Sequence, residues 1–283
     1  MCEAVASAQH GVSFKTPDGY TLHADQYGEG SRGVVLVHGG RFTRESWKKQ
    51  AEALAKRGFN VLAIDFRGYG QTIPGAETTD EKHYPDVLSA VRYLRGLGAK
   101  SVALVGASMG GDAAGDAVAQ SNPGEIDKLV LIASEGGDSP KRLTVETLFV
   151  VCRDDKNSEG LRLPKISAAY DAAPGPKKLK ILEGDAHAQF IFETDQGPRL
   201  MDELLDFLST LGKSPAPRPA SPPSKKARAP NGNAGLPNQF PKTIFAVRTA
   251  AGCVRCERPS VRKGRGRAAL KLSARSASSP PVW

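Results

Sequence analysis

A serine flanked by glycines is the first feature of the sequence that could support chemistry. The segment Gly106-Ala107-Ser108-Met109-Gly110 directly follows a β-branched apolar run, 101–105, and precedes a small-residue stretch, 111–119, that suits a helix. A G-x-S-x-G sequence between a strand and a helix is typical of a nucleophile elbow, a sharp turn that exposes the serine hydroxyl. The helix N-terminus then points free N–H groups at a developing oxyanion. We therefore predict that Ser108 is a nucleophile; the alternative is an ordinary turn serine.

A serine nucleophile needs a base, and one histidine stands in the right place for it. His187 is the only histidine after Ser108 in the sequence, since the others are His10, His23, His38 and His83. It follows the predicted strand 179–182, which puts it on a loop at the carboxyl end of that strand. We expect His187 to be the base. His38 is predicted instead to make a hydrogen bond within its own loop.

The acid that orients the imidazole should follow the intervening predicted strand, 148–151. That strand runs into Cys152-Arg153-Asp154-Asp155. Asp155 is our first choice because it has the better spacing from the strand end. The acid holds the correct histidine tautomer and stabilises the imidazolium. Asp154 is the alternative acid. Glu135, which follows the strand before, is a further alternative.

Two backbone N–H groups are expected to complete the reactive centre by binding the oxyanion. His38-Gly39-Gly40 follows the predicted strand 34–37. We predict that the N–H groups of Gly40 and of Met109, the residue after the nucleophile, form this oxyanion hole. The alternative is that the two glycines only turn the chain.

These side chains need a scaffold, and residues 1–212 alternate predicted strands with predicted helices. Apolar runs typical of buried parallel strands recur at 34–37, 61–64, 102–105, 129–132, 148–151 and 179–182. Amphipathic helical spacing lies between them at 47–57, 86–97 and 199–211. A hairpin is predicted from 12–16 and 21–27 around Asp18-Gly19. The pattern predicts an α/β fold with about eight strands in a mostly parallel sheet flanked by helices.

Charge divides the chain into two parts. The 283 residues carry a net charge of +9, which alone would suggest nucleic acid as a partner. Residues 213–283, however, hold 15 basic residues and one acidic residue, whereas 1–212 hold 24 basic and 29 acidic residues, a net of −5. We predict a domain over 1–212 and a disordered basic tail over 213–283, rich in proline, arginine and serine, with at most a short structured piece around 243–247.

The composition excludes several classes of protein. The longest apolar runs are about five residues, too short to span a membrane. Residues 1–10 lack the basic and apolar regions of a secretory signal, so a cytoplasmic location is expected.

Four cysteines in this length do not indicate a disulfide scaffold. The lone pair Cys253 and Cys256 is not expected to bind metal, and no cofactor or metal site is predicted. Nucleic-acid contact through the tail is disfavoured against a solvated tail without a partner.

Taken together, the motifs resemble the α/β-hydrolase family. The resemblance covers about 12–212 and rests on His38-Gly39-Gly40, the segment 65–70, the serine elbow, Asp155 and Gly184-Asp185-Ala186-His187. It implies a serine hydrolase with Ser108, His187 and Asp155 as the catalytic triad. Cys152 departs from the pattern, because many members have glycine there.

The length of one connection bears on the substrate. Many family members insert a helical cap after the strand that follows the elbow strand, but 133–147 leave room only for a short loop. In this respect the chain is similar to small carboxylesterases and dienelactone-hydrolase-like members, although the elbow lacks the cysteine of the dienelactone hydrolases proper. A small ester, lactone or thioester is the expected substrate. The alternatives are a non-catalytic binding or receptor protein of the same fold, or an acyl-peptide hydrolase.

Overall fold

One eight-stranded sheet organises the part of the chain that the computed structural model describes, residues 9–72 and 82–213. The strands in chain order are β1 (His10–Lys15), β2 (Thr21–Tyr27), β3 (Arg32–Val37), β4 (Asn60–Ile64), β5 (Ser101–Ala107), β6 (Lys128–Ile132), β7 (Glu146–Cys152), the short pair β8 (Lys156–Asn157) and β9 (Gly160–Leu161), and β10 (Lys177–Leu182). Their order across the large sheet is β1-β2-β4-β3-β5-β6-β7-β10, and β8 pairs only with β9. Within the large sheet the β1–β2 and β2–β4 pairs are antiparallel and the others are parallel, and the separate β8–β9 pair is antiparallel. The predicted mostly parallel sheet of eight strands is confirmed.

Helices cover both faces of this sheet. They are α1 (Lys48–Ala55), α2 (Tyr84–Gly96), α3 (Met109–Gln120), α4 (Leu163–Ala172) and α5 (Gly197–Ser209), with 3-10 turns at Arg44–Trp47, Pro140–Arg142 and Ala188–Glu193. Residues of α1 and α5 share one hydrophobic cluster, and residues of α2, α3 and α4 share the other. The sheet therefore lies between two helical layers, each with its own core.

The strands read as continuous apolar runs because both of their faces are buried. In β3, Val35 and Val37 belong to the cluster with α2, α3 and α4, whereas Val34 and Leu36 belong to the cluster with α1 and α5. All four side chains are essentially inaccessible to solvent. This two-sided burial is the physical reason that the sequence shows no polar alternation in its central strands.

A buried ion pair fixes the loop that follows β3. The N–H of Arg44 donates to Oδ1 of Asp65 at 2.9 Å, and its guanidinium pairs with the same carboxylate. Asp25 lies 3.1 Å from Nε of Arg44. Since Asp65 directly follows β4, the pair ties together the loops at the carboxyl ends of two adjacent strands.

The connection between β6 and β7 is short, as the sequence predicted. Residues 133–145 contain a single 3-10 turn, Pro140–Arg142, and no α-helix. Among the helices of the described residues, none has the length and apolar character needed to cross a bilayer. The predicted tail, its short piece at 243–247, and Cys253 and Cys256 lie outside the described residues, so the domain boundary at 212 stays a prediction.

Candidate active site

The turn between β5 and α3 holds Ser108 in a strained conformation. Its φ of 49° and ψ of −123° fall in a region that side chains other than glycine rarely adopt. The serine N–H donates to the carbonyl oxygen of Ile132 at 2.9 Å, which ties the turn to the neighbouring strand β6. The serine side chain is thereby lifted above the carboxyl edge of the sheet.

Glycines are required on both sides of this turn because backbone passes close to them. A Cβ atom on Gly110 would lie 2.5 Å from the carbonyl oxygen of His38 and closer still to that of Val37. A Cβ atom on Gly106 would lie 2.7 Å from the carbonyl carbon of Gly110. The elbow sequence is therefore dictated by packing of helix against strand as much as by chemistry.

Three side chains from three loops form one chain of hydrogen bonds. The Ser108 hydroxyl lies 2.8 Å from Nε2 of His187, and Nδ1 of His187 lies 2.8 Å from Oδ2 of Asp155. Asp155 follows β7, and His187 follows β10. The Asp155 side chain is 1% exposed and that of His187 is 29% exposed. The structure thus brings together the three residues that the sequence singled out, with the carboxylate buried and the imidazole open to a cleft.

The two alternative acids lie elsewhere. Asp154 is exposed, and its backbone N–H donates to the carbonyl oxygen of Gly184 at 2.9 Å. Glu135 is also exposed, and it lines a small pocket of about 40 Å³ beside Ser108. In the described part of the chain, the hydrogen bonds of the His187 ring go to Asp155 and Ser108 only.

Cys152, the departure from the family pattern, is buried at the end of β7. Burial, together with the nearby charges of Asp155 and Asp185, raises the pKa of its thiol to about 11. The thiol is therefore protonated at neutral pH, which removes it as a competing nucleophile.

The predicted oxyanion donors flank Ser108, and a neighbouring N–H group is already occupied. The N–H of Gly39 donates to Oε1 of Gln189 at 2.8 Å. For the N–H groups of Gly40 and Met109, in contrast, no acceptor is found among the described residues. A Cβ atom built on Gly40 would be 3.6 Å from Sδ of Met109, so the two residues are neighbours. Both line the same cleft as Ser108.

His38 makes the hydrogen bond within its own loop that the sequence predicted. Its Nδ1 donates to the carbonyl oxygen of Gly39 at 2.9 Å, and its Nε2 accepts from the N–H of Phe66 at 3.3 Å. These two contacts fit the neutral imidazole with its proton on Nδ1. Burial lowers the pKa of this histidine, which also favours the neutral ring.

Sequence reasoning missed two residues that hold this arrangement. The buried side chain of Gln189 accepts from Gly39, and its Nε2 donates to Oγ of Ser46 at 2.6 Å. Nε of Arg162 lies 3.4 Å from Oδ1 of Asp155, the oxygen that His187 does not use. No sequence signal marks either residue, because each acts through a contact between distant segments.

A cleft of about 470 Å³ opens above the serine. Two aromatic rings, Phe42 and Phe190, lie on it with their centroids 4.9 Å apart. Phe190 is 44% exposed, which is unusual for a large apolar side chain. The complete lining consists of Gly39, Gly40, Arg41, Phe42, Ser108, Met109, Lys156, Asn157, Arg162, His187, Ala188 and Phe190.

Several known proteins are similar to this chain in sequence or in fold. The AB hydrolase superfamily protein YisY of Bacillus subtilis is 33% identical over 132 residues, which cover 47% of this chain and 48% of the relative. A non-heme haloperoxidase of Rhodococcus erythropolis is 32% identical over 117 residues, or 41% of this chain and 42% of the relative. The chain spans about half the length of these curated relatives. A solved Pyrococcus furiosus esterase superposes with a TM-score of 0.59 at 18% identity, covering 74% of this chain and 94% of the esterase.

The family assignment rests on a match to a family model. A family model described as alpha/beta hydrolase fold matches residues 33–246, which is more than half of the chain. The matched region contains the serine elbow, all of β3 except its first residue, the strands β4 to β10, and the histidine loop. The chain belongs to the alpha/beta hydrolase fold family.

Proposed function

We propose that this protein is a serine hydrolase that cleaves a small ester, lactone or thioester through an acyl-enzyme on Ser108. The observation that carries the proposal is the continuous set of hydrogen bonds from the Ser108 hydroxyl through His187 to Asp155, with 2.8 Å at each contact. A nucleophile, a base and an orienting acid within hydrogen-bond reach are what acyl transfer by serine requires.

In the first half of the reaction, Oγ of Ser108 forms a bond to the substrate carbonyl carbon while its proton moves to Nε2 of His187. Asp155 stabilises the resulting imidazolium, because its Oδ2 already accepts from Nδ1. The N–H groups of Gly40 and Met109 bind the negative oxygen of the tetrahedral intermediate. Each such donor contributes about 10²–10³ in rate.

Departure of the leaving group completes acylation, and the second half of the reaction then transfers the acyl group to water. His187 gives its proton to the leaving oxygen or sulfur as the bond from that atom to the carbonyl carbon breaks, which leaves the acyl-enzyme. A water molecule then attacks the acyl carbon and passes a proton to His187. Collapse of the second intermediate returns this proton to Ser108 and releases the acid.

The form of the cleft favours small substrates. The 133–145 connection places no helical cap beside the serine, and the cleft measures about 470 Å³. Phe42 and Phe190 provide a short apolar wall in the described part of this cleft. Short acyl groups that leave the scissile carbonyl accessible fit this site best.

A substrate panel tests the proposal. Initial rates are measured for p-nitrophenyl esters with acyl chains from two to twelve carbons, matched thioesters and N-acetylated peptides, with the Ser108→Ala variant as the blank. We expect turnover of the short esters or thioesters that falls as the chain lengthens and disappears in the variant. Turnover of the peptides alone would favour an acyl-peptide hydrolase. Folded protein without any turnover would favour a non-catalytic binding protein.

A further inference from the structure

The cleft above Ser108 has a charge opposite to that of the domain that contains it. Residues 1–212 carry a net charge of −5. The cleft, however, is lined by the cations Arg41, Lys156 and Arg162, and no aspartate or glutamate is among its described lining residues. A positive cleft in an acidic domain is a local feature that the average composition does not explain.

Arg162 is placed to bind an anion without leaving its present contact. Its backbone N–H donates to the carbonyl oxygen of Asp155 at 2.9 Å, and its Nε lies 3.4 Å from Oδ1 of the same residue. The side chain is 30% exposed. Within the described residues, its two terminal Nη groups have no hydrogen-bond acceptor. Asp155 thus lies beside Nε of the guanidinium and leaves the terminal nitrogens for a ligand. Arg162 lines the cleft, and it also lines the small pocket that contains Asp112 and Glu135.

Arg41 and Lys156 add charge at the rim. Both are exposed, and neither forms an ion pair with a carboxylate of the described chain. Several other surface lysines are paired, for example Lys165 with Glu159 and Lys178 with Glu203. Arg41 and Lys156 therefore keep their charge free for a ligand.

We propose, on the basis of the hydrolase function proposed above, that the substrate carries a carboxylate in addition to its scissile carbonyl. Arg162 binds this carboxylate, since a planar guanidinium presents paired donors to two oxygens. Lys156 and Arg41 raise the local concentration of the anion through their charge. The carbon chain between the carboxylate and the scissile carbonyl packs against Phe42 and Phe190.

The test compares two esters that differ in one charge. The substrates are p-nitrophenyl hydrogen adipate and its neutral counterpart, methyl p-nitrophenyl adipate, with the uncatalysed rate subtracted. We expect kcat/KM to be about tenfold higher for the anionic ester, equivalent to one charge-assisted contact. The ratio of the two values should fall as NaCl rises from 20 to 500 mM, since salt screens exposed charges.

Variants assign the effect to the cleft. Lys156→Gln removes a rim charge without touching Asp155, and we expect it to lower the anionic-to-neutral ratio about threefold. Arg162→Gln should lower the ratio further. Any loss of activity that follows from the broken contact with Asp155 affects both esters equally and therefore cancels in the ratio. Lys141→Gln makes the same change in charge on an exposed residue outside the cleft, so it should keep the ratio of the unmodified protein.

The outcomes separate the two proposals. Rapid turnover of the neutral ester with an anionic-to-neutral ratio near one would overturn the carboxylate proposal and leave the hydrolase proposal standing. A ratio that Lys141→Gln lowers as much as Lys156→Gln does would also overturn it, since the effect would then reflect net charge. No turnover of either ester, with no reaction of Ser108 with a fluorophosphonate, would overturn both.

Discussion

The backbone N–H of Gly39 donates a hydrogen bond to Oε1 of Gln189, at a distance of 2.8 Å. This contact joins the loop after β3, which carries Gly40, to the loop after β10, which carries His187. Gln189 is 4% exposed, and its amide also donates to Ser46. One buried side chain therefore sets the position of the proposed oxyanion donor relative to the proposed base.

Replacement of Gln189 should impair the reaction more than substrate binding. In Gln189→Ala the N–H of Gly39 loses its partner, and the loop that presents Gly40 is free to shift. We expect kcat to fall about tenfold with KM nearly unchanged, because misplacement of a transition-state donor affects the chemical step. Steady-state kinetics on a short-chain ester measure both constants.

A second variant should show a smaller loss of kcat. Ser46→Ala removes the contact to the Gln189 amide, together with the hydrogen bond that Oγ of Ser46 donates to the carbonyl oxygen of Thr43, and leaves the Gly39 hydrogen bond in place. It should lower kcat less than Gln189→Ala does. Equal kcat values for Gln189→Ala and the unmodified protein would show that the Gly39 contact does not position the donor.

Adjacent aspartates provide a matched test of the proposed acid. Asp155→Asn places an amide next to Nδ1 of His187, which no longer favours the tautomer that accepts the serine proton. We expect kcat to fall on the order of 10⁴-fold. Asp154→Asn makes the same change in charge one residue away, on an exposed side chain, and should alter kcat by no more than about twofold. The reverse order of the two losses would make Asp154 the acid.

The glycine after Met109 should contribute strongly to the stability of the fold. In Gly110→Ala the new methyl group meets two carbonyl oxygens of the β3 end and its loop. Backbone on that side cannot move without disturbing the sheet, so we expect the free energy of unfolding to fall by more than about 3 kcal/mol. Urea denaturation followed by circular dichroism measures the change.

Gly96→Ala is the control for that substitution. Gly96 lies at the end of α2, and a Cβ atom there has nothing within 4 Å. The free energy of unfolding should stay the same or rise by up to about 1 kcal/mol, since alanine is the better helix former. Similar unfolding energies for the two alanine variants would contradict the packing argument.

The central fold could be predicted because burial of a strand on both faces requires a continuous apolar run in the sequence. Strands enclosed by helices on both faces must be apolar throughout, and five such runs marked β3 to β7. The sixth run, 179–182, marked the edge strand β10, which is only partly buried and includes Lys180. Helix α4 was not predicted. Only Ile166 and Ala169 are buried in it, and Leu163 and Tyr170 pack against the same core while partly exposed, so its apolar signal is weak. The two-residue strands β8 and β9 are too short to carry any pattern.

The candidate site could be predicted in part, because two of its residues stand out in the sequence. Ser108 stands in a motif that the turn imposes, and His187 is the one histidine after it. The choice between Asp154 and Asp155 depends on which carboxylate the turn after β7 directs inward, and two adjacent aspartates look alike in sequence. Gln189 and Arg162 act through contacts between segments far apart in the chain, so their roles required the fold.

Covalent labelling of Ser108 tests the central claim most directly. The full-length protein is treated with a fluorophosphonate, digested and analysed by mass spectrometry. We expect a single phosphonylated residue, Ser108, with labelling abolished in Ser108→Ala and His187→Ala and retained in Asp154→Asn. Folded protein that remains unlabelled, or labelling that persists in Ser108→Ala, would contradict the assignment of Ser108 as the nucleophile.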